Sequence, residues 1–424
     1  MCLELAVHAA TRQARPAASR PLPTLSDLAR FNPCLGLKTV PPQNHAAYLV
    51  DKYGKPFEVR PAPYTAPGPD ELVIRNEAIA INPVDAAVQV AGRVMFPWIE
   101  YPCVLGCDVS GVVVDVGSGG KAGPLFKVGD RVVGLAVGTD KRANKASEGA
   151  FQQYTVLRCQ LTSKIPEDLS YEKACVLPLG LSTAACGLFL GEHLALQKPR
   201  LQASSERGTA SLEEARTAVV IVWGGSTSVG SNAIQLARAA GYEVLATASP
   251  RNFEYLKSLG ASMVFDYKET DTVSRIIEVL QSKTCAGALA IGVGSLEACI
   301  DIVAAVPGRK FVSQASVPVD MSDMPKSVAG FVGIMLWLLW RNISVAFKAR
   351  FRRVSTKFIW GSDVMANEVG PMIYHDFLPD ALARGQYQAK PDPRIVGNGL
   401  ESLQEGVDIC KKGASAAKIV VTLR

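Results

Sequence analysis

The segment Ala218–Gly241, AVVIVWGGSTSVGSNAIQLARAAG, most constrains the fold, because an apolar run, a glycine turn and an amphipathic stretch follow one another directly. Val219–Trp223 is a β-branched and aromatic run, typical of a strand covered on both faces of a parallel sheet. Gly224 and Gly225 allow a sharp turn and let a ligand approach the backbone N–H groups. A helix beginning near Ser228 would direct free N–H groups and its positive dipole end at the same point. The sequence therefore predicts a phosphate-binding strand, turn and helix.

The hydroxyl groups of Ser226, Thr227 and Ser228 add hydrogen-bond donors to this turn. The turn lacks a strict G-x-G-x-x-G, and glycine-rich turns also occur in units that bind nothing. A strand, turn and helix that only pack together are therefore the alternative interpretation.

A second strand is predicted over Glu243–Ala248. It ends about 20 residues past the glycines, where an NAD site places an acidic residue that binds the ribose. The residues there carry no acid and are Ser249, Pro250, Arg251 and Asn252. Nothing repels a 2′-phosphate at this position and one guanidinium is available to bind it, so NADPH is favoured over NADH. The alternative is that Arg251 is an ordinary solvated first-turn residue; Lys257 and Tyr267 are further candidate contacts of the adenosine phosphate end.

The composition is that of a globular chain of 424 residues, 48% hydrophobic and 20% charged, which is long enough for two domains. Its net charge of +6 is scattered along the sequence, which argues against a nucleic-acid interface. The ten cysteines are dispersed and no secretory signal precedes them, so we expect reduced, buried thiols. Cys103 and Cys107 are the one close pair, and with four histidines in the chain we expect no zinc site.

The order of the motifs predicts four regions. Residues 1–42, rich in Ala, Arg and Pro, are expected to form a flexible extension, with a transit peptide as the alternative. Short strands separated by Gly, Pro and Asp predict a β-rich domain over residues 43–195. After a surface loop at Gln197–Thr217, alternating strand and helix signals predict a doubly wound α/β domain over residues 196–361. Residues 362–424 return to the first domain and end in a strand, Ala417–Leu423.

The apolar run Val328–Trp340 is followed by the basic segment Lys348–Arg353 and fits none of these elements. With about 20 residues needed to cross a bilayer, the run is too short to span one. It is predicted to line the core or an apolar substrate tunnel. The alternatives are that it covers the sheet edge, that it lies in a membrane interface with its basic neighbours at the lipid headgroups, or that it is a translated intron.

Several further motifs, taken together, resemble the zinc-free branch of the medium-chain dehydrogenase/reductase superfamily, from about residue 45 to the end of the chain. They are AINPVD at 80–85, VLGCDVSGVVVDVGSG at 104–119, FKVGDRVVG at 126–134, EGAFQQYTV at 148–156 and KIPEDLSYEKACVLPLGLSTA at 164–184. Zinc-dependent members carry a Cys and a Gly-His-Glu where this chain has Asn82–Asp85 and Gly106–Asp108. Within the branch, INPVD, LPLGLSTA, WGGSTSVG, ASPRNFEYLKSLGA and VFDY are similar to the fungal trans-acting enoyl reductases, such as the lovastatin enoyl reductase. The resemblance implies a GroES-like catalytic domain beside the Rossmann domain.

The resemblance also implies site residues. Those expected to contact NADPH, beside Gly224 and Gly225, are Val84, Asp85, Ala86, Ala87, Ser226, Thr227, Ser228, Val229, Ser249, Pro250, Arg251, Asn252, Tyr267, Ala414 and Ser415. Those expected to line the acyl pocket are Thr183, Thr356, Lys357, Phe358, Ile359 and Trp360. As alternatives, Asp85 only caps the helix after Pro83, and Thr183 is a core threonine bonded to its own helix. Ala87 departs from the pattern, since the best-known member has a lysine there.

The reaction that the resemblance implies is hydride transfer from NADPH to the β-carbon of an α,β-unsaturated acyl thioester. The substrate is held by a highly reducing polyketide synthase as partner, and the reductase is expected to be a cytoplasmic monomer without a membrane span. No side chain stands out as the proton donor, so its identity stays open and water is one candidate. The alternative functions are a free-standing quinone or enone reductase and a non-catalytic nucleotide-binding scaffold.

Overall fold

A computed structural model describes residues 41–52, 56–201, 218–316 and 328–423. Its strands are β1 Asn44–Leu49, β2 Glu58–Ala62, β3 Glu71–Ala80, β4 Cys103–Val104, β5 Asp108–Val116, β6 Arg131–Leu135, β7 Tyr154–Arg158, β8 Thr162–Lys164, β9 Ala218–Trp223, β10 Glu243–Ala248, β11 Met263–Asp266, β12 Thr284–Ala290, β13 Phe311–Gln314, β14 Ser355–Phe358, β15 Asp392–Asn398 and β16 Ala417–Thr422. The predictions for residues 1–42 and for the loop Gln197–Thr217 lie mostly outside the described residues.

The α-helices are α1 Pro83–Met95, α2 Ala122–Leu125, α3 Tyr171–Ala174, α4 Pro178–Phe189, α5 Ser228–Ala239, α6 Phe253–Ser258, α7 Thr272–Leu280, α8 Ser295–Ala305, α9 Val328–Phe351, α10 Val369–Pro371, α11 Leu378–Ala383 and α12 Leu403–Lys411. A π-helical stretch, Met372–Phe377, joins α10 to α11. Short 3₁₀ turns lie at Ala146–Glu148, Cys159–Leu161, Pro250–Asn252, Gly361–Ala366 and Leu400–Ser402.

Six parallel strands form one sheet in the order β11-β10-β9-β12-β13-β14. The central strand β9 is the Val219–Trp223 run, and Val219, Val220, Ile221 and Val222 are fully buried. Strands covered on both faces have to be apolar throughout, which is why this run does not alternate. The strand order and the helices between the strands confirm the predicted doubly wound α/β sheet.

A second, largely antiparallel sheet has the order β15-β16-β3-β5-β6-β8, with β7 paired to β3, and a three-stranded sheet β2-β1-β4 lies apart from it. Strand β16 pairs with β3 through Val420 and Ala80, so the predicted C-terminal strand joins the sheet built by the first part of the chain. The β-rich architecture is thereby confirmed. The domain boundaries at residues 43, 196 and 362 stay predictions.

The two sheets are joined by the close packing of α4 against α5. A Cβ atom at Gly180 in α4 would lie 2.3 Å from Ser228 Oγ, at the first residue of α5. No real Cβ approaches an oxygen so closely, so glycine permits this contact. Through it, the β-rich part of the chain reaches the start of the helix that follows the glycine turn.

The prediction of a core or tunnel position for Val328–Trp340 is wrong for the side chains that the structure describes. The run is part of α9, which connects β13 to β14 and extends to Phe351. Leu336 and Trp340 are 62% and 68% exposed. One side of α9 packs on the helical layer of the parallel sheet, where Val345 and Ala349 are buried, and the other side has no cover among the described residues.

The length of α9 also corrects the statement that the run is too short to span a bilayer. Val332–Phe351 is the one helical stretch of the described residues that is long and apolar enough for this by length and composition. The sequence pattern ended at Trp340 because Arg341 interrupts it. In the structure Arg341 instead turns to Glu297 of α8, so the helix continues.

Candidate functional site

The glycine turn after β9 is held by the neighbouring strand β10. Gly224 N donates to Thr247 Oγ1 at 3.0 Å, and Gly225 N donates to the Thr247 carbonyl at 2.8 Å. Gly224 has a φ of +85°, and a Cβ there would lie 2.6 Å from the carbonyl oxygen of Ile291. Only glycine can adopt this φ and avoid the clash with Ile291. The turn therefore carries no side chain at Gly224, while its backbone is held by the hydrogen bonds to Thr247.

The first turn of α5 is capped by Thr227, whose Oγ1 accepts a hydrogen bond from Gly230 N at 3.0 Å. The other N–H groups of a first turn have no partners within the helix. Ser228 Oγ is buried and finds no hydrogen-bond partner among the described residues. An orphaned hydroxyl beside an open glycine turn at a helix N-terminus fits a bound dinucleotide, whose phosphate and amide groups supply acceptors. We call the sequence-predicted set Gly224–Val229 the cradle; that it contacts a dinucleotide stays a prediction.

The carboxyl end of β10 carries the predicted ribose-reading residues. Arg251 is exposed, and no acidic side chain lies within ion-pairing distance of it in the described part of the chain. Tyr267 follows the adjacent strand β11 and is 44% exposed. Lys257, by contrast, pairs with Glu254 at 2.8 Å. Arg251 is therefore a free cation at the edge of the sheet where a 2′-phosphate would lie.

The C-terminal tail reaches the same place. Asn252 Nδ2 donates to Ser415 Oγ at 3.2 Å, although the two residues are far apart in the sequence. Ala414 and Ser415 are exposed, and they follow α12, which packs against α1. The structure thus brings together the predicted segments Ser249–Asn252 and Ala414–Ser415.

The predicted segment Val84–Ala87 forms the first turn of α1. Asp85 is 2% exposed; its Oδ2 accepts from Asn82 N at 2.8 Å and its Oδ1 accepts from Gly106 N at 3.1 Å. This is the capping role considered as the alternative for Asp85, and it also ties α1 to the chain before β5. Burial, opposed by these N–H groups, raises the pKa of Asp85 to about 7.

Beside this cap lies a buried ion pair that the sequence analysis did not predict. Lys418 Nζ lies 2.8 Å from Asp108 Oδ2 and also donates to Asn82 Oδ1. Asn82 Nδ2 donates to Asp108 Oδ2 at 2.9 Å, and Asp108 Oδ1 accepts from Leu179 N at 2.6 Å. The antiparallel register of β16 on β3 explains why these side chains are close. Val420 lies opposite Ala80, so Lys418, two residues before Val420, lies opposite Asn82, two residues after Ala80.

According to the resemblance, zinc-dependent members carry their Cys and Gly-His-Glu where this chain has Asn82–Asp85 and Gly106–Asp108. Here the Lys418 ammonium group already occupies the oxygens of Asn82 and Asp108. Burial, together with Asp85 and Asp108, raises the pKa of Cys107, so its thiol stays protonated and is a poor ligand. Among the described residues no group of three His, Cys, Asp or Glu side chains could hold a metal ion. The donor set does not fit zinc.

The predicted acyl-pocket residues lie on two elements. Thr183 in α4 donates from Oγ1 to the Leu179 carbonyl at 2.7 Å, as the core-threonine alternative required. A Cβ at Gly361 would nevertheless lie 2.5 Å from this Oγ1, so Thr183 is next to the residue after Trp360. Trp360 is 48% exposed and makes an edge contact with Phe358 at 5.3 Å.

The other members of the set face elsewhere. Ile359 is 3% exposed and would collide with a Cβ at Gly187, so it belongs to the core. Thr356 and Lys357 are exposed on the edge strand β14, and Lys357 pairs with Glu192 at 2.8 Å. Of the set, Phe358 and Trp360 contact each other, and Thr183 lies next to Gly361. Whether any of the six contacts an acyl chain stays a prediction.

Two features of the site escaped the sequence analysis besides the Lys418 pair. Gly230 is the third glycine of the turn, since a Cβ there would lie 2.3 Å from the Gly224 carbonyl. The turn after β12 has positive φ at Gly292 and Gly294 and leaves Val293 65% exposed at the carboxyl edge of the sheet. The GVG spacing at 292–294 was the available signal for this second loop.

Fold and site together define a two-domain oxidoreductase in which a nicotinamide dinucleotide binds at the carboxyl edge of a parallel sheet, next to a β-rich domain. Comparison with known proteins identifies the family. Residues 68–167 match the alcohol dehydrogenase GroES-like domain, and residues 228–308 match the zinc-binding dehydrogenase domain. The chain belongs to the medium-chain dehydrogenase/reductase family, which confirms the predicted fold class and the resemblance.

Similar proteins include the dehydrogenase pigH of Monascus ruber, which is 47% identical over 90% of this chain and 100% of its own length. The trans-enoyl reductase himH of Aspergillus japonicus is 36% identical over 90% of this chain and 97% of its own length. The crystal structure of CurK enoyl reductase superimposes with a TM-score of 0.65, at 18% identity, over 90% of this chain and all of that one. At this identity the superposition shows the fold alone.

Proposed function

We propose that the protein is an NADPH-dependent, zinc-independent enoyl reductase that acts in trans on an α,β-unsaturated acyl thioester held by a polyketide synthase. The observation that carries the proposal is the 36% identity, over 90% of this chain, to a protein named as a trans-enoyl reductase, since the cradle by itself indicates only a nicotinamide cofactor. The geometry supports the finer points, each through a different group of residues.

The cofactor preference rests on Arg251. A dinucleotide on the Gly224–Val229 cradle has its adenosine ribose near the carboxyl ends of β10 and β11. There the free Arg251 guanidinium favours a phosphate over a bare hydroxyl, and no acidic side chain of the described residues forms an ion pair with it; Asp266 ends the neighbouring strand β11. Tyr267 and Ser415 border the same edge. These residues would hold NADPH in preference to NADH.

The independence from zinc rests on Lys418. Its ammonium group places a positive charge between Asn82 and Asp108, in the segments where the resemblance places the metal-ligand motifs of zinc-dependent members. The same contacts connect β16 to the start of α1. A divalent cation would have to displace it and leave a buried ammonium group unpaired. The pair thus supports a reaction that proceeds without a metal.

The protein's contribution to the reaction is orientation and exclusion of water. When bound, NADPH supplies a hydride to the β-carbon of the enoyl thioester. The hydroxyl groups of Tyr374 and Tyr387 are engaged with Ser182 and Asn232 in the core, and burial raises the pKa of both. Neither is free to act as the acid, and water remains the candidate donor of the α-carbon proton.

The test is a rate comparison with purified protein. NADPH oxidation is followed with crotonyl pantetheine and with the same acyl group loaded on the carrier domain of a highly reducing polyketide synthase. We expect turnover with both thioesters and a higher kcat/KM with the tethered one. Equal rates on free quinones or small enones would favour a free-standing reductase, and NADPH binding without turnover on any activated alkene would favour a nucleotide-binding scaffold.

A further inference from the structure

Helix α9 carries a continuous apolar surface that the reductase activity does not use. Apolar side chains recur along it every three or four residues, so they lie on one side of the helix. We call this surface the apolar stripe; its members are Val332, Leu336, Trp340, Ile343, Phe347 and Phe351. Their exposed fractions run from 50% at Val332 to 79% at Phe351. Leu339 and Trp337 flank the stripe and are also exposed.

The opposite side of α9 is fixed to the body of the protein. Val345 and Ala349 are buried against the layer that contains α8. Arg341 pairs with Glu297 at 2.5 Å, and Lys348 pairs with Asp301 at 2.6 Å. These contacts hold α9 flat against the surface of the domain, so the apolar stripe faces away from the domain. Inserting it across a bilayer would bury Arg341 and Lys348 in hydrocarbon without their partners.

The charges along this segment have one sign. Between Val328 and Arg353 the sequence contains no acidic residue, and its basic residues are Arg341, Lys348, Arg350, Arg352 and Arg353. Arg350 and Arg353 are exposed at the end of the stripe, and neither pairs with an acid among the described residues. An apolar surface with tryptophan and uncompensated arginine at its border has the chemistry of a surface that binds anionic lipid headgroups.

A second copy of the chain fits this surface poorly. An isologous contact through the stripe would leave the arginines of both copies without acidic partners, because the segment contains no acid. We therefore propose that α9 is a peripheral membrane-binding element that lies in the headgroup region of an anionic bilayer, with the apolar stripe toward the acyl chains. The reductase would thereby work while attached to a lipid surface.

The test is flotation of the full-length protein with vesicles of phosphatidylcholine alone or with phosphatidylserine added. The stripe variant carries Leu336→Gln, Trp340→Gln and Phe347→Gln, and the control variant carries Val128→Gln and Ile395→Gln, which are exposed apolar residues elsewhere. We expect the wild type and the control to float with the anionic vesicles and the stripe variant to stay behind. An Arg350→Gln and Arg353→Gln variant should bind more weakly on the order of twentyfold to thirtyfold, since each basic residue near the surface adds about fivefold.

Every other outcome contradicts the proposal. Wild type that floats no more than the stripe variant would overturn it, as would equal binding to vesicles with and without phosphatidylserine. Sedimentation of the proteins without vesicles tests the alternative occupant, a second copy of the chain. If the wild type is a dimer, the stripe variant is a monomer and neither binds vesicles, the stripe is an interface between copies and the proposal is wrong. NADPH binding by all variants, measured in parallel, shows that they are folded, so failure of this proposal is distinct from failure of the proposed function.

Discussion

Lys418 Nζ lies 2.8 Å from Asp108 Oδ2, and the two side chains are 5% and 0% exposed. The pair links the last strand of the chain to β5 and, through Asn82, to the start of α1. A buried ion pair of this kind contributes little net stability over an apolar pair but is costly to break from one side. The stability of the folded protein therefore depends on both partners being present.

Replacing Lys418 by Met leaves Asp108 buried without its cation. We expect the free energy of unfolding to fall by about 3–5 kcal/mol, measured by urea denaturation. The matched control is Lys257→Met, because Lys257 forms an exposed pair with Glu254 and should contribute no more than about 1 kcal/mol. Equal effects of the two substitutions would contradict the assigned role of Lys418.

Asp85 gives the protein a pH-dependent stability. Burial raises its pKa to about 7 in the folded protein, while in the unfolded chain it titrates near the ordinary value of 3.8. Between these two values the folded state holds a proton that the unfolded state has lost. The contribution of Asp85 to the free energy of unfolding therefore falls as the pH rises through this window, by about 4 kcal/mol in all.

The measurement is the free energy of unfolding of the wild type and of Asp85→Asn at several pH values. The variant cannot titrate at this position, so the wild type should lose stability relative to it as the pH rises from about 4 to about 7. A constant difference between the two proteins would show that Asp85 keeps an ordinary pKa.

Arg251 is expected to set the cofactor preference. Arg251→Ala removes the charged partner of the 2′-phosphate, which is worth about 1.5–3 kcal/mol, so the Kd for NADPH should rise about tenfold to a hundredfold. The Kd for NADH should change little, because that cofactor has a hydroxyl there. Arg275→Ala, an exposed arginine on α7, is the control. Equal weakening of both cofactors by Arg251→Ala would show that Arg251 does not read the phosphate.

Gly180 is expected to control how closely the two sheets approach. The Cβ of Gly180→Ala would lie 2.3 Å from Ser228 Oγ and 3.2 Å from the Ser228 carbonyl carbon, so the Ser228 side chain has to turn away and the start of α5 has to move slightly. We expect a loss of about 1–3 kcal/mol in stability and weaker NADPH binding, by thermal unfolding and fluorescence titration. Gly191→Ala is the control, since nothing lies within 4 Å of its added Cβ. A variant with unchanged NADPH affinity would contradict the coupling of α4 to the cradle.

The local parts of the fold were predictable from the sequence. Val219–Trp223, Gly224, Gly225 and the helix from Ser228 follow one another, so propensity and turn chemistry suffice to predict them. The strand predicted at Ala417–Leu423 is Ala417–Thr422 in the structure, an error of boundary only. Boundaries are set by pairing with β3, which a local pattern does not contain.

The long-range parts were not predictable. In the sequence, Lys418 is indistinguishable from a lysine in any ordinary strand. Only the register of β16 on β3, which the structure gives, places it opposite Asn82. The apolar run in α9 reads as core because sequence patterns report hydrophobicity and not whether a partner covers it. Asp85 and Thr183 were correctly considered as a cap and as a helix-bonded threonine, since both roles depend on residues three or four positions away.

The most direct test of the proposed reaction is transfer of deuterium to a crotonyl thioester from NADPH that carries deuterium in place of both C4 hydrogens, using chelator-treated protein and mass spectrometry of the product. We predict one deuterium at the β-carbon of the saturated thioester, at the same rate before and after chelator treatment. An unlabelled product, no product with any enoyl thioester, or activity that is lost with the chelator and restored by zinc would contradict a metal-free enoyl reductase.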